Sequence, residues 1–225
     1  MKYKQNAVTI PVGDKDHTSG ILSLPVKGHK RVAVIIAHGA GNDMNTPLIA
    51  SFADSLATAG YPVLRFNFLY KEHGKKAPDN WDTLTRTWAA AYWYAKGLFG
   101  DTIDVWVAAG KSMGGRVASQ MVADGLLPVD RLIFLGYPLH PAGDKEKLRD
   151  SHLYRIQVPM LFFAGTRDSL CDMEKLKGVL QKLKASWQLF VIEGGDHSFH
   201  VPKAFHKTEQ EIFAQITEKS LEWLT

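Results

Sequence analysis

Six short runs of the chain, at 32–37, 61–66, 105–109, 132–136, 160–164 and 189–192, are apolar at almost every position rather than at alternate ones. A strand reads this way when both of its faces are covered, so the runs predict a mostly parallel sheet with helices on each side. Between them, apolar residues recur at three- and four-residue intervals over 47–59, 82–96, 113–124, 173–184 and 207–224, which is the spacing of a single helical face. Ahead of this alternation, 7–11 and 20–25 read as a strand pair turned around Gly13 and Asp14, extending the sheet at one edge. No linker, repeat or low-complexity tract interrupts the pattern, so the expected organisation is one α/β domain over residues 1–225.

The second helical pattern carries Trp81, Trp88, Tyr92 and Trp93. They could form an aromatic platform for a flat ligand. Spacing of i, i+4 is explained more simply by a helix packing on the sheet, and a core placement is expected.

Composition then narrows the function classes. A chain of 225 residues with 45% hydrophobic and 22% charged residues can bury a sizeable core without staples. Its single cysteine, Cys171, excludes an intramolecular disulfide framework and a Cys-rich zinc site, fits a reducing compartment, and reads as a small packing residue near a helix start. The basic opening residues are followed by no apolar segment, and no run approaches membrane-spanning length. A cytoplasmic protein with no membrane partner is expected. The 27 basic residues are offset by 23 acidic ones, and a net charge of +4 sets up no strong field, so no nucleic-acid partner is implied. Oligomeric state is not legible.

The chemistry is concentrated at one junction. The apolar run ending at Ala109 is followed by Gly110-Lys111-Ser112-Met113-Gly114 and then by a helical pattern. Strand, G-x-S-x-G, helix is the arrangement of a nucleophile elbow: a tight turn lifts the serine above the sheet, and side chains two positions to either side would collide. The same letters include Gly-Lys-Ser, but a phosphate-binding loop needs glycine where Val105 stands. Ser112 is therefore the candidate nucleophile.

A serine hydroxyl needs a base, and the base needs an orienting acid. His197 lies in a glycine-rich stretch just past the last apolar run, and it is the candidate base. His200 and His206 raise the alternative of a metal cluster, but no carboxylate or histidine stands at recognisable ligand spacing; neither metal nor cofactor is expected. Asp168, at the end of a tight turn after the run 160–164, fits the chain order serine, acid, histidine. Asp172, Glu193 and Asp196 compete. Asp172 reads better as a helix cap, and Asp196 adjoins His197 too closely to reach the far ring nitrogen. An oxyanion hole needs two backbone N–H groups, for which Met113, after the nucleophile, and Ala40, in the stretch 38–43, are the candidates. His38, in that stretch, is expected to hold loop backbone rather than to react.

The segments 38–44 (HGAGNDM), 64–70 (LRFNFLY), 110–116 (GKSMGGR), 136–141 (GYPLHP) and 194–199 (GGDHSF) together resemble the α/β-hydrolase superfamily. More narrowly they resemble the small hydrolases related to dienelactone hydrolase, a group that also includes a testis-expressed animal relative and a domain of a chromatin acetylation complex subunit. The resemblance implies an α/β-hydrolase fold with a sheet of about eight strands, and Ser112, Asp168 and His197 as a triad. It implies no settled substrate. Dienelactone hydrolases proper use cysteine as nucleophile, so lactone specificity does not carry over.

Only one short helix, over 144–151, fits between 136 and 158, which leaves no room for a large cap domain. An open site suits a small ester or thioester, or an acyl group presented on a larger molecule. The polar stretch 70–77 at the same sheet edge could favour an acidic substrate, but reads more simply as a solvated loop. The expected activity is that of a serine hydrolase. A non-catalytic interaction domain that kept the fold, and acyl transfer or peptide cleavage on the same triad, are the alternatives.

Overall fold

The computed structural model describes residues 2–225. A hairpin, β1 (Tyr3–Val12) and β2 (Asp16–Pro25), opens the chain. Six further strands follow: β3 (Val32–Ala37), β4 (Val63–Phe66), β5 (Val105–Lys111), β6 (Arg131–Leu135), β7 (Met160–Gly165) and β8 (Trp187–Ile192). They form one eight-stranded sheet in the order β1-β2-β4-β3-β5-β6-β7-β8, antiparallel only where β1 meets β2 and β2 meets β4. The helices are α1 (Pro47–Thr58), α2 (Leu69–Glu72), α3 (Trp81–Phe99), α4 (Met113–Ala123), α5 (Met173–Leu180) and α6 (Glu209–Leu224).

The periodicities explain the layering. Leu84, Trp88 and Tyr92 of α3, Val117 and Met121 of α4, and Leu176 and Val179 of α5 cover one face of the sheet. Phe52 and Leu56 of α1 and Ile212 and Ile216 of α6 cover the other. Helix starts are sealed by side chains: Asn80 accepts from the Thr83 N–H, Asp172 from Glu174 and Lys175, and Thr208 and Glu211 form a capping box. This is the α/β-hydrolase architecture without a large cap.

Three expectations are corrected. The run 189–192 was expected to be buried on both faces, but β8 closes the sheet as an edge strand and Val191 stays 37% exposed. Trp88 and Tyr92 enter the core as expected, whereas Trp81 and Trp93 do not, at 41% and 58% exposure. Trp93 follows Tyr92 by one residue, about 100° around the helix, and cannot share its face. The expected helix at 144–151 does not form, because the Arg149 N–H is drawn to the Leu139 carbonyl at 2.7 Å instead of continuing a helical ladder. A single turn at Leu153–Arg155 takes its place. The short α2 carries too few residues to show a period.

What matters for chemistry is where the parallel strands end. In the register, Ala37 lies beside Gly110 and Gly165 beside Ile192, so the loops leaving β3, β5, β7 and β8 all open at the same edge. The parallel strands β3 and β5 also mark where the order of strand addition reverses, from β3 to β4 on one side and from β5 onward on the other, and crevices form at such switch points. Among the described residues, no helix is long and apolar enough to cross a membrane.

Candidate active site

Ser112 occupies the turn between β5 and α4 with φ 51° and ψ −115°, a left-handed conformation that is strained for a residue with a side chain. The flanking glycines make the turn possible. A β-carbon on Gly110 would lie 2.2 Å from the Gly115 nitrogen, and one on Gly114 would lie 2.6 Å from the His38 carbonyl oxygen. Helix α4 begins at Met113, whose backbone N–H has no partner within the helix.

His197 arrives from the loop after β8. Its Nε2 lies 2.8 Å from Ser112 Oγ and its Nδ1 2.8 Å from Asp168 Oδ2. Ionised Asp168 can only accept, so Nδ1 carries the proton and Nε2 is free to accept from the serine hydroxyl. Asp168 also accepts the Leu170 N–H, at 2.8 Å, and its side chain is sealed from solvent, whereas that of His197 is 19% exposed. The acid is shielded and the base is reachable. Nearby, Asp172 caps α5, and Asp196 turns to the N–H groups of Ser198 and His200.

The loop after β3 is fixed from beneath. His38 Nδ1 lies 2.8 Å from the Gly39 carbonyl oxygen, while Nε2 accepts the Phe68 N–H at 3.1 Å, so Nδ1 must carry the proton. Burial pushes this ring's pKa down to about 4, in keeping with a neutral imidazole. The Tyr70 hydroxyl and the Asn42 N–H also donate to the Gly39 oxygen, both at 3.3 Å. In a trans peptide the next N–H points opposite to that carbonyl. The Ala40 N–H is thereby turned away from the His38 side, and Ala40, Met113 and Ser112 line one cavity of about 510 Å³.

That cavity contains residues the sequence reading did not place there. Trp81, Arg116 and Arg149 line it, and so do Asp79, Leu84 and Leu170. The signal for Arg116 was its place one helical turn after Ser112; Arg149 had none, and Trp81 was weighed for an aromatic platform but assigned to the core. Of the stretch 70–77 expected to be a solvated loop, residues 72–77 are exposed, but Tyr70 is wholly buried against the Gly39 carbonyl. Lys111, the x of the elbow, is a buried ammonium whose pKa is lowered to about 8 by burial, with the charges of Asp168 and Asp196 opposing the shift. Cys171 is buried, and burial raises its thiol pKa far above the reactive range. Among the described residues, no group of three or more His, Cys, Asp or Glu side chains could hold a metal ion.

A second serine–histidine contact, Ser119 Oγ to His152 Nε2 at 2.9 Å, has the wrong polarity for catalysis. Ser119 already donates to the Arg116 carbonyl at 2.8 Å, and the Tyr137 hydroxyl donates to the Arg149 carbonyl at 2.7 Å. Both oxygens are left to accept from the histidine N–H. His152 is thus a neutral donor, its pKa pushed down to about 4 by burial first and then by Arg116 and Arg155. Ser119 itself is wholly buried.

Fold and site together define an α/β hydrolase arrangement, and comparison with known proteins agrees. The alpha/beta hydrolase domain family matches residues 30–225, and the chain belongs to that family. It is similar in structure to a dienelactone hydrolase from Anabaena variabilis, at TM-score 0.76 and 21% identity over 99% of this chain and 97% of that one. It is also similar to an α/β serine hydrolase homologue from Coxiella burnetii, at TM-score 0.74 and 21% identity over 97% and 98% of the two chains. A third similar structure is an α/β serine hydrolase without a lid from Xanthomonas campestris, at TM-score 0.74 and 21% identity over 98% and 95%.

Proposed function

We propose that this protein is a serine hydrolase that cleaves a small ester or thioester through an acyl-enzyme. The observation that carries the reading is the unbroken hydrogen-bonded run from buried Asp168 through His197 to Ser112, with 2.8 Å at each step. Ser112 Oγ attacks the substrate carbonyl as His197 Nε2 takes its proton. Asp168 stabilises the resulting imidazolium. The Ala40 and Met113 N–H groups receive the oxyanion. His197 then protonates the departing alcohol or thiol, and water, deprotonated by the same ring, releases the acid and restores Ser112. The strained backbone at Ser112 and the free donors beside it support this reading over that of a non-catalytic domain, which has no use for either.

The test is labelling of the purified protein with a fluorescent fluorophosphonate, comparing wild type with Ser112→Ala and His197→Ala. Labelling should be lost in both variants. Turnover of short-chain esters by Ser112→Ala should fall by about 10⁴ to 10⁶ in kcat. A folded wild type that is not labelled would overturn the proposal and favour an interaction domain.

A further inference from the structure

Arg116 and Arg149 enter the cavity beside Ser112 without acidic partners. Among the described residues, neither guanidinium makes an ion pair or a side-chain hydrogen bond, although ten of the chain's other cationic or histidine side chains do pair with carboxylates. Both are half-buried. The nearby carboxylates are engaged elsewhere: Asp79 accepts the Tyr70 N–H at 2.7 Å, and Asp150 accepts the Tyr154 hydroxyl at 2.5 Å. Burial disfavours the Arg116 cation first, and the like charge of Arg149 disfavours it further. Asp79 lines the same cavity, but its carboxylate is held by the Tyr70 N–H and pairs with neither arginine, so the two like charges face the cavity unpaired.

Their backbones are also tied together beneath the surface. The Arg116 carbonyl accepts from Ser119, Ser119 and Tyr137 both accept from His152, and Tyr137 donates to the Arg149 carbonyl. On its other side, the Arg149 N–H is held by the Leu139 carbonyl. This buried chain of three side chains accounts for the segment's departure from a helix. It fixes the two arginines relative to each other and, through α4, relative to Ser112.

We propose that Arg116 and Arg149 form a carboxylate-binding subsite, so that the preferred substrate is an ester or thioester whose acyl chain ends in a carboxylate. The inference rests on the serine-hydrolase reading above for its chemistry, but not for its binding. A guanidinium fork matches a carboxylate, and binding one relieves the repulsion between the two cations. Arg116 stands one helical turn beyond the nucleophile, about 5 Å along the axis, which suits a chain of a few methylenes between the two carbonyl carbons. Trp81 and Leu84 supply apolar walls for that chain.

The experiment compares monomethyl adipate with methyl hexanoate, in which a methyl group replaces the carboxylate. Wild type should show a kcat/KM ratio of about 10 to 100 in favour of the charged ester, the value expected of charge-assisted hydrogen bonds. The ratio should collapse toward 1 in Arg116→Gln and in Arg149→Gln, and should shrink in high salt. In parallel, calorimetry on Ser112→Ala should detect binding of monomethyl adipate that is lost in Ser112→Ala/Arg149→Gln. Wild type that hydrolyses both esters equally, or Gln variants that keep the preference, would overturn the subsite while leaving the hydrolase intact. If wild type cleaves neither ester, Arg149-dependent binding to Ser112→Ala sustains the subsite and removes the hydrolase reading; no binding there overturns the subsite.

Discussion

Gly165 and Gly195 approach so closely that a β-carbon on Gly165 would lie 2.2 Å from the Gly195 carbonyl oxygen. Gly165 ends β7 three residues before Asp168, and Gly195 stands two before His197. The Arg167 N–H donates to the same Gly195 oxygen at 2.8 Å. This contact sets the spacing between the acid loop and the base loop. Gly165→Ala should force them apart and lower kcat/KM on a short ester by about 100-fold, since misplacement by an ångström is costly in a triad. Thermal unfolding should remain cooperative. Wild-type turnover in that variant would show that the two loops do not set the geometry.

Asp168→Asn tests the tautomer. An amide can donate to His197 Nδ1 and so holds the proton on Nε2, where it blocks acceptance from Ser112. The expected loss is about 10⁴ in kcat, with little change in overall fold. Proton NMR should show the imidazole N–H signal moved from Nδ1 to Nε2. A loss of less than tenfold would remove Asp168 from its assigned role.

Tyr70→Phe removes one of the donors on the Gly39 oxygen and leaves the His38 bond in place. Because the effect reaches the reaction only through the orientation of the Ala40 N–H, it should lower kcat by no more than about tenfold, the worth of one neutral hydrogen bond, and leave KM unchanged. A KM effect instead would place Tyr70 against the substrate.

Acid stability follows from two buried rings. His38 and His152 titrate near 6.5 when exposed, and burial pushes each down to about 4 in the fold. Between those values the unfolded chain binds protons that the folded chain refuses, so stability falls as pH drops from about 6.5 to about 4 and is insensitive to these groups above that range. Each ring accounts for a loss of about 3 kcal/mol at the acid end. Urea midpoints at pH 7.5 and pH 4.5 should therefore differ less in His152→Gln, which keeps a donor for Ser119 and Tyr137 but takes up no proton. Equal pH dependence in the two proteins would refute the assignment for His152.

The sheet and the hydrogen-bonded trio Ser112, His197 and Asp168 were legible because each depends on local signals. Unbroken apolar runs marked the inner strands, and the glycines around Ser112 marked its tight turn. His197 and Asp168 followed from their places just past strand ends. Trp81 was noticed but assigned to the core and Arg149 was not legible, because what brings them beside Ser112 is tertiary. Trp81 is turned outward by the start of α3 at Asn80, and Arg149 is held by Leu139 and Tyr137 from a segment whose residues favour a helix. The burial of β8 was misjudged for the same reason, since an edge position is a property of strand order, not of composition.

Three donors on the Gly39 carbonyl bear on how the protein begins work. Turning the Gly39–Ala40 peptide over would break the bonds from His38, Tyr70 and Asn42 together, with no replacement in the buried site. On the proposed mechanism, the resting loop already presents the Ala40 N–H, and progress curves on a short ester are expected to start at full velocity on mixing; a lag would show that this peptide must turn first.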